Sequence, residues 1–369
     1  MSDTLLRNDE LIVTSAGALR RITLNRPQAL NAITLDMAAT MTALLRAWRS
    51  DPSVGAVLID GAGERGLCAG GDIRALYEAA KSEGAKSEAA RPAQSIAADA
   101  LPARFWATEY KLNVLIARYS KPIVAVMDGL VMGGGVGLSV HAAHRVVTER
   151  SAIGMPEVGI GFFPDVGASF LLARAPGLVG TYLALTGQRV GAADALFCQL
   201  ADVYVAADHL NQLPASLVNC RTHNDVRAAL DTLSTAPGPA RLPKQREWID
   251  GCYAGEKLEH IIEQLRRCRA DGAEAALEVM TKASPTSLKV TLRNLRSAAA
   301  FDRVEQSFVQ DYRIALACIA GHDFIEGIRA AIIDKDRKPR WRPDTIEAVT
   351  REIVDRHFRS VGDLELRFE

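Results

Sequence analysis

Apolar positions in the first part of the chain alternate between two periods. Leu11 to Ser15 and Leu19 to Leu24 flank Ala16-Gly17-Ala18, which predicts two strands joined as a hairpin. Asn25-Arg26-Pro27 ends the second strand, because proline has no N–H to give a ladder. From Leu35 to about Arg49 the spacing becomes helical. Met37, Met41, Leu44, Leu45 and Trp48 share one face there, with Thr34 placed as the cap. Val54 to Asp60 reads as a strand, Ile73 to Ala80 and Phe105 to Tyr119 as helices, and Ile123 to Met127 as a short buried strand. After a run of glycines, Leu138 to His144 is expected to continue as a helix, followed by a strand at Val146 to Thr148. Strand and helix in alternation argue for an α/β core with parallel pairing and with loops gathered at one end of the strands.

Further along, 155–167 is too rich in Pro and Gly to be regular. Short helices are expected at 169–173, 180–185 and 192–199, and a strand at 202–205. Beyond 206 the pattern is helical throughout, at 207–219, 224–234, 244–251, 255–269, 272–283, 286–298 and 302–320. This change places a boundary near 206, with a core over 1–206 and a helical C-terminal region over 207–369. The small, polar, Ala-rich stretch 81–103 reads as a mobile or inserted segment.

Two glycine-rich loops, 66–72 and 129–137, each follow an apolar strand and precede a helix. Glycine permits positive φ and lets a ligand approach the backbone. One N–H from each loop would make an oxyanion hole, whose donors act where charge develops on a carbonyl oxygen. The bland alternative is a pair of tight turns. Gly133 to Gly137 lacks the third glycine of a dinucleotide fingerprint, and Gly137 to His141 lacks the closing glycine of a nucleophile elbow.

Glu157 and Asp165 share the irregular segment with Met155, Val158, Ile160, Phe162 and Phe163. Apolar surroundings raise a carboxyl pKa toward the range of general acid–base work, whereas a loop carboxylate is by default solvated. Glu109 on its helix and Lys335-Asp336-Arg337-Lys338 read by default as solvated surface. His141 and His144 have no evident third ligand, so no metal is expected.

Composition narrows the partners. The 369 residues carry 44 basic and 44 acidic side chains, so overall charge gives no reason for a nucleic-acid or membrane partner. A local cluster such as Lys335 to Arg342 remains able to meet a phosphorylated ligand. Six scattered cysteines fit free thiols in a reducing cytoplasm, and Met1-Ser2-Asp3-Thr4 has no leader-like pattern.

The motifs Leu24-Asn25-Arg26-Pro27-Gln28-Ala29-Leu30-Asn31-Ala32, Cys68-Ala69-Gly70-Gly71-Asp72, Met132-Gly133-Gly134-Gly135 and Met155-Pro156-Glu157 are shared with one family. On them, the chain resembles the crotonase (enoyl-CoA hydratase/isomerase) superfamily across 10–206. Glu109 to Asn113, Phe163 to Gly167, Ser284 to Lys289, Gly321 to Ala330, Asp334 to Asp336 and Pro339 to Trp341 extend the likeness over nearly the whole chain. They point to the branch that hydrolyses short 3-hydroxyacyl-CoA thioesters.

That resemblance implies a crotonase-like spiral core of ββα units with a C-terminal helical region covering the active site. It implies an acyl-CoA substrate, with no cofactor beyond the coenzyme A that the substrate carries. Oxyanion donors fall at Gly71 and Gly134, and catalytic carboxylates at Glu157 and Asp165. Glu109 is implied for the substrate hydroxyl, and the backbone at Gln28, Ala29, Leu30 and Ala69 for coenzyme A. The earlier glutamate of hydratases falls at Gly137, which has no side chain and counts against ordinary hydration. Hydratase or isomerase action on another acyl-CoA is the alternative, and non-catalytic coenzyme A binding a further one. A homo-oligomer, trimer or hexamer, is implied as well.

Overall fold

The computed structural model describes residues 8–82 and 92–368. Part of the stretch expected to be mobile or inserted, 83–91, lies outside the described residues. Its flanks are ordered: a helix runs to Ser82, a 3-10 turn covers Ala93–Ser95, and the next helix begins at Leu101, earlier than the Phe105 expected. The chain divides into two compact units that interleave in sequence. The first comprises 1–71, 108–154 and 189–240, and the second 72–107, 155–188 and 241–369. Residues 207–240 therefore stay with the first unit, beyond the point where the sequence turns helical.

The first unit holds every strand among the described residues. A six-stranded sheet runs in the order β1 (Leu11–Ala16), β2 (Leu19–Leu24), β3 (Ala56–Gly61), β4 (Ile123–Met127), β6 (His144–Val147) and β8 (Val203–Tyr204). Only β1 and β2 are antiparallel, as the hairpin signal predicted; the remaining pairs are parallel. Ile22 aligns with Ile59, Ile59 with Ala125, and Ala125 with Arg145. All five residues of β4 are buried, as expected for a parallel strand covered on both faces. On one face Leu19, Leu58, Val124, Val126 and Val146 pack with Leu213, Leu217, Val226 and Leu230 of the following helical segments. Helix α1 (Leu35–Ser50) begins where Thr34 accepts the Met37 N–H at 3.1 Å, and it buries the five apolar residues its pattern marked.

Two elements escaped the sequence. Between β4 and the glycine helix lies β5 (Leu130–Met132), paired in parallel with β7 (Ala152–Gly154). Three-residue strands carry too little pattern to register. The helix after the glycines spans Gly134–Ser139 rather than Leu138 to His144, and His144 opens β6. Glycine disfavours a helix interior by about 1 kcal/mol. Here close packing overrides that preference, because a Cβ on Gly135 would overlap the Cys68 carbonyl.

The second unit is helical. It contains α2 (Ile73–Ser82), two short helices at Ala168–Leu172 and Val179–Thr186, and the C-terminal helices Leu242–Tyr253, Leu258–Arg267, Asp271–Lys282, Pro285–Ala298 and Val304–Ala320. Asp323–Ile328 and Arg351–His357 follow. Ser284 caps the Pro285–Ala298 helix through the Ser287 N–H, donates its hydroxyl to Asp323 at 2.6 Å, and gives its own N–H to the Val158 carbonyl. The sequence run from Ser284 to Lys289 therefore anchors the segment that carries Glu157.

Candidate active site

In the first unit the two glycine loops are laced together. Leu67 and Cys68 donate to the carbonyls of Asp128 and Leu130 at 3.0 and 3.2 Å, and Met132 donates to Cys68 at 2.9 Å. Gly66 (φ +148°) and Gly129 (φ +63°) face each other so closely that a Cβ on either would overlap backbone of the opposite loop. Glycine is required at both. The loops therefore lie at one end of the sheet, after β3 and after β4.

This lacing sets two amides apart. Ile33 donates to Gly70 rather than taking the Gly71 N–H, and the Gly71 N–H has no partner among the described residues. Gly134 is the first residue of its helix, where an N–H has no acceptor within the helix. A Cβ on Gly134 would lie 3.3 Å from the Gly71 nitrogen and would overlap Glu109 Oε1. Two backbone donors and a buried carboxyl oxygen thus border one small space, open only because residue 134 is glycine. Glu109 is 2% exposed, against the surface position that its helix gave by default. Burial pushes the nearby Cys68 thiol up to about 12, with the Glu109 charge acting in the same direction.

Gln28, Ala29 and Leu30 belong to or follow the 3-10 turn Pro27–Ala29, and Leu30 takes a left-handed conformation (φ +54°). The Ala69 N–H is used by the Leu30 carbonyl at 3.0 Å, which brings this expected coenzyme A segment against the first glycine loop. Asn31 holds the corner, accepting from the Arg26 N–H and donating to Ala62 and Gly66. His144 does not sit on a helix surface; its ring meets His223 at 3.3 Å.

The second unit carries the carboxylates. Glu157 opens the 3-10 turn Glu157–Ile160 and is buried, and its Oε2 has no hydrogen-bond partner among the described residues. Burial raises its pKa well above the ordinary 4.5, and the Asp165 charge raises it further, against a smaller opposing bond from its own backbone. Asp165 is buried too, so the two carboxyls that shared an apolar sequence segment act on one another. The apolar wall is aromatic: Phe162 stacks on Trp106 at 5.5 Å and meets Phe163 and Phe324 at 4.7 and 4.5 Å. Val166 follows at φ +51° and Gly167 at φ +72°. A β-branched residue there is strained by about 1–3 kcal/mol.

Sequence reasoning passed over Asp311. Its Oδ2 accepts the Gly167 N–H at 2.9 Å and its Oδ1 accepts Asn294 Nδ2 at 3.1 Å. A signal was present: Phe308, Tyr312, Ala315 and Ile319 mark the apolar face of the Val304–Ala320 helix, and Asp311 falls on that face. The basic side chains of the run near 335–342 are exposed, as their default reading had it, and the structure around them is held by other residues. Arg329 binds Glu326, Asp334 and Asp336, and Trp341 donates to the Lys282 carbonyl.

The sequence pattern of the enoyl-CoA hydratase/isomerase family matches residues 19–358. The chain belongs to this family. The zebrafish (Danio rerio) protein named 3-hydroxyisobutyryl-CoA hydrolase, mitochondrial, is 40% identical over 97% of this chain and 91% of its own length. The human protein of the same name is 38% identical over 98% and 91%. A crystal structure titled carnitinyl-CoA dehydratase, from Mycobacterium thermoresistibile, superposes with a TM-score of 0.89 at 43% identity, covering 98% of this chain and 99% of that one. Another, titled enoyl-CoA hydratase, from Rhodobacter sphaeroides 2.4.1, gives 0.88 at 40%, covering 97% and 100%. The crotonase-like α/β fold expected from the glycine and Met-Pro-Glu motifs is the fold of this chain.

Proposed function

We propose that this protein hydrolyses the thioester of 3-hydroxyisobutyryl-CoA, or of a close short 3-hydroxyacyl-CoA, to the free hydroxy acid and coenzyme A. The observation that carries the reading is the buried Glu157 with Asp165 acting on it, while Gly137 is buried in the glycine helix and offers no second carboxylate for hydration. Relatives named for this hydrolase match along almost the entire chain.

In the first unit, the Gly71 and Gly134 N–H groups take the oxyanion formed on the thioester carbonyl, each worth about 3 kcal/mol in comparable sites. Glu109 receives the substrate hydroxyl. Gln28, Ala29, Leu30 and Ala69 contact coenzyme A through backbone; with its N–H bound to Leu30, Ala69 offers its carbonyl. In the second unit, Glu157, its carboxyl raised by burial and by the Asp165 charge, acts as general base. It takes a proton from water as the water oxygen bonds to the carbonyl carbon. Collapse breaks the C–S bond, and the proton passes to the leaving thiolate. Asp165 keeps Glu157 basic and positions water. Attack by Glu157 itself, through an anhydride, uses the same residues.

The reaction is assigned to the cytoplasm, in keeping with six free cysteines; the word mitochondrial belongs to the relatives' names. A homo-oligomer, trimer or hexamer, is the assembly assigned, and sedimentation tests it.

The titles of the two solved structures favour a second reading, hydration or dehydration of an acyl-CoA double bond. One assay separates them. Thiol release from 3-hydroxyisobutyryl-CoA, measured beside 3-hydroxypropionyl-CoA and other short hydroxyacyl-CoAs, is the expected result. No release together with rapid hydration of crotonyl-CoA establishes the second reading instead.

A further inference from the structure

Asp311 is fully buried, yet its side-chain hydrogen bonds come from a backbone amide and a neutral Asn294. Asn294 is itself held by Gln310 through its Oδ1. A buried carboxyl is weak evidence for stability, since an apolar residue of similar size packs such a position as well or better. Its partner is the informative part. The Gly167 N–H belongs to the turn Val166–Gly167, where both residues are left-handed and the first is β-branched. Backbone so strained persists only where its surroundings over-determine it. The surroundings here are the Asp311 carboxyl on Gly167, the Asp165 carbonyl accepting Ala168 at 2.9 Å, and the Ser169–Ser307 hydroxyl pair at 2.6 Å. Two of the three come from the Val304–Ala320 helix. The residue directly before the strained turn is Asp165.

We infer that Asp311 is a positioning residue for the hydrolysis: by accepting the Gly167 N–H it locks the left-handed Val166–Gly167 turn and thereby fixes where the Asp165 carboxyl stands beside Glu157. It acts through the turn and Asp165. Burial and the Asp165 charge both push the Asp311 carboxyl up, so it serves as well protonated as charged, its Oδ2 accepting in either state. Asparagine, which keeps an acceptor oxygen in the same place, is therefore a functional replacement, and alanine is not.

The inference rests on the assignment of Asp165 above, and the test keeps the two apart. Steady-state thioesterase kinetics are measured on Asp311→Ala, Asp311→Asn and Asp165→Asn in the full chain. Asp311→Ala is expected to lower kcat at least tenfold with KM for the acyl-CoA within twofold of the parent. Asp311→Asn is expected to return kcat to within threefold. A folded Asp311→Ala with unchanged kcat overturns the inference, as does an Asp311→Asn no better than alanine. If Asp311→Ala does not fold, Asn294→Ala keeps the Asp311 carboxyl but removes the amide that aims it at Gly167, so its hold on the turn is loosened. A kcat reduced threefold or more at constant KM then supports the inference, and an unchanged kcat overturns it. Asp165→Asn with full activity overturns the assignment of Asp165 itself. A dead Asp165→Asn beside a fully active Asp311→Ala overturns only the role of Asp311.

Discussion

The amide nitrogen of Gly71 lies 3.3 Å from where a Cβ on Gly134 would stand. Two loops more than sixty residues apart in sequence thus leave one side-chain-free space between their amides. Gly134→Ala fills that space. Its methyl meets the end of the flexible Glu109 side chain and Ile33 Cδ1, which can shift, so the variant is expected to fold. Its thioesterase kcat/KM is expected to fall by about a hundredfold, the scale of losing one oxyanion donor. Gly135→Ala is the contrast. Its methyl meets the rigid Cys68 carbonyl, and a loss of stability of about 1–3 kcal/mol, read by denaturant unfolding, is expected.

Glu157 gives a prediction in which stability and activity move in opposite directions. Its carboxyl is raised in the folded chain by burial first and by Asp165 second. A raised folded pKa means that its contribution to stability is complete below the unfolded pKa and is lost as pH rises through the folded one. Glu157→Gln is therefore expected to melt at a higher temperature than the parent at neutral pH, with the difference closing in acid. The same change is expected to abolish thiol release while acyl-CoA binding persists. A Glu157→Gln protein that turns over normally would move the base elsewhere.

The sequence made the strand–glycine–helix order, the hairpin, α1 and the Glu157–Asp165 segment readable, because each rests on local period or on residue types with narrow conformational use. What it missed depends on contacts distant in the chain. The helix at Gly134–Ser139 carries glycine at 135 because the backbone there must pass the Cys68 carbonyl, a contact that no helix propensity shows. Glu109 looked like surface because helical pattern alone does not reveal that Gly134 lies against it. Asp311 is 146 residues beyond Asp165, and only folding brings it to Gly167. The two glycine loops read in sequence as an oxyanion hole or a pair of tight turns; only the lacing of 66–72 with 129–132 brings their amides beside a buried carboxyl.

Asp165 should tune the pH at which Glu157 works. Its charge is the second cause of the raised Glu157 pKa. A general base is active when deprotonated, so kcat/KM rises with pH through that pKa. Asp165→Asn removes the neighbouring charge, and the acid limb of the profile is expected to move to lower pH. Burial alone still holds it above the ordinary carboxylate range. A limb that stays in place would show that the two carboxyls do not communicate during turnover.

Glu109 is where selectivity for the hydroxyl should reside. Its Oε1 adjoins the space next to the Gly71 and Gly134 amides, so an acyl chain whose carbonyl sits there carries its 3-hydroxyl within reach of the carboxyl. A site built to hydrogen-bond a hydroxyl rejects the analogue that lacks it, because its polar group is left buried and unpaired. The parent is expected to favour 3-hydroxyisobutyryl-CoA over isobutyryl-CoA strongly. Glu109→Leu removes the carboxyl, so the loss falls on the hydroxylated substrate and the preference should shrink by roughly 10–100-fold, the scale of one hydrogen bond to a charged group. The comparison is the ratio of kcat/KM for the two thioesters. An unchanged ratio in a folded variant would place hydroxyl recognition away from Glu109.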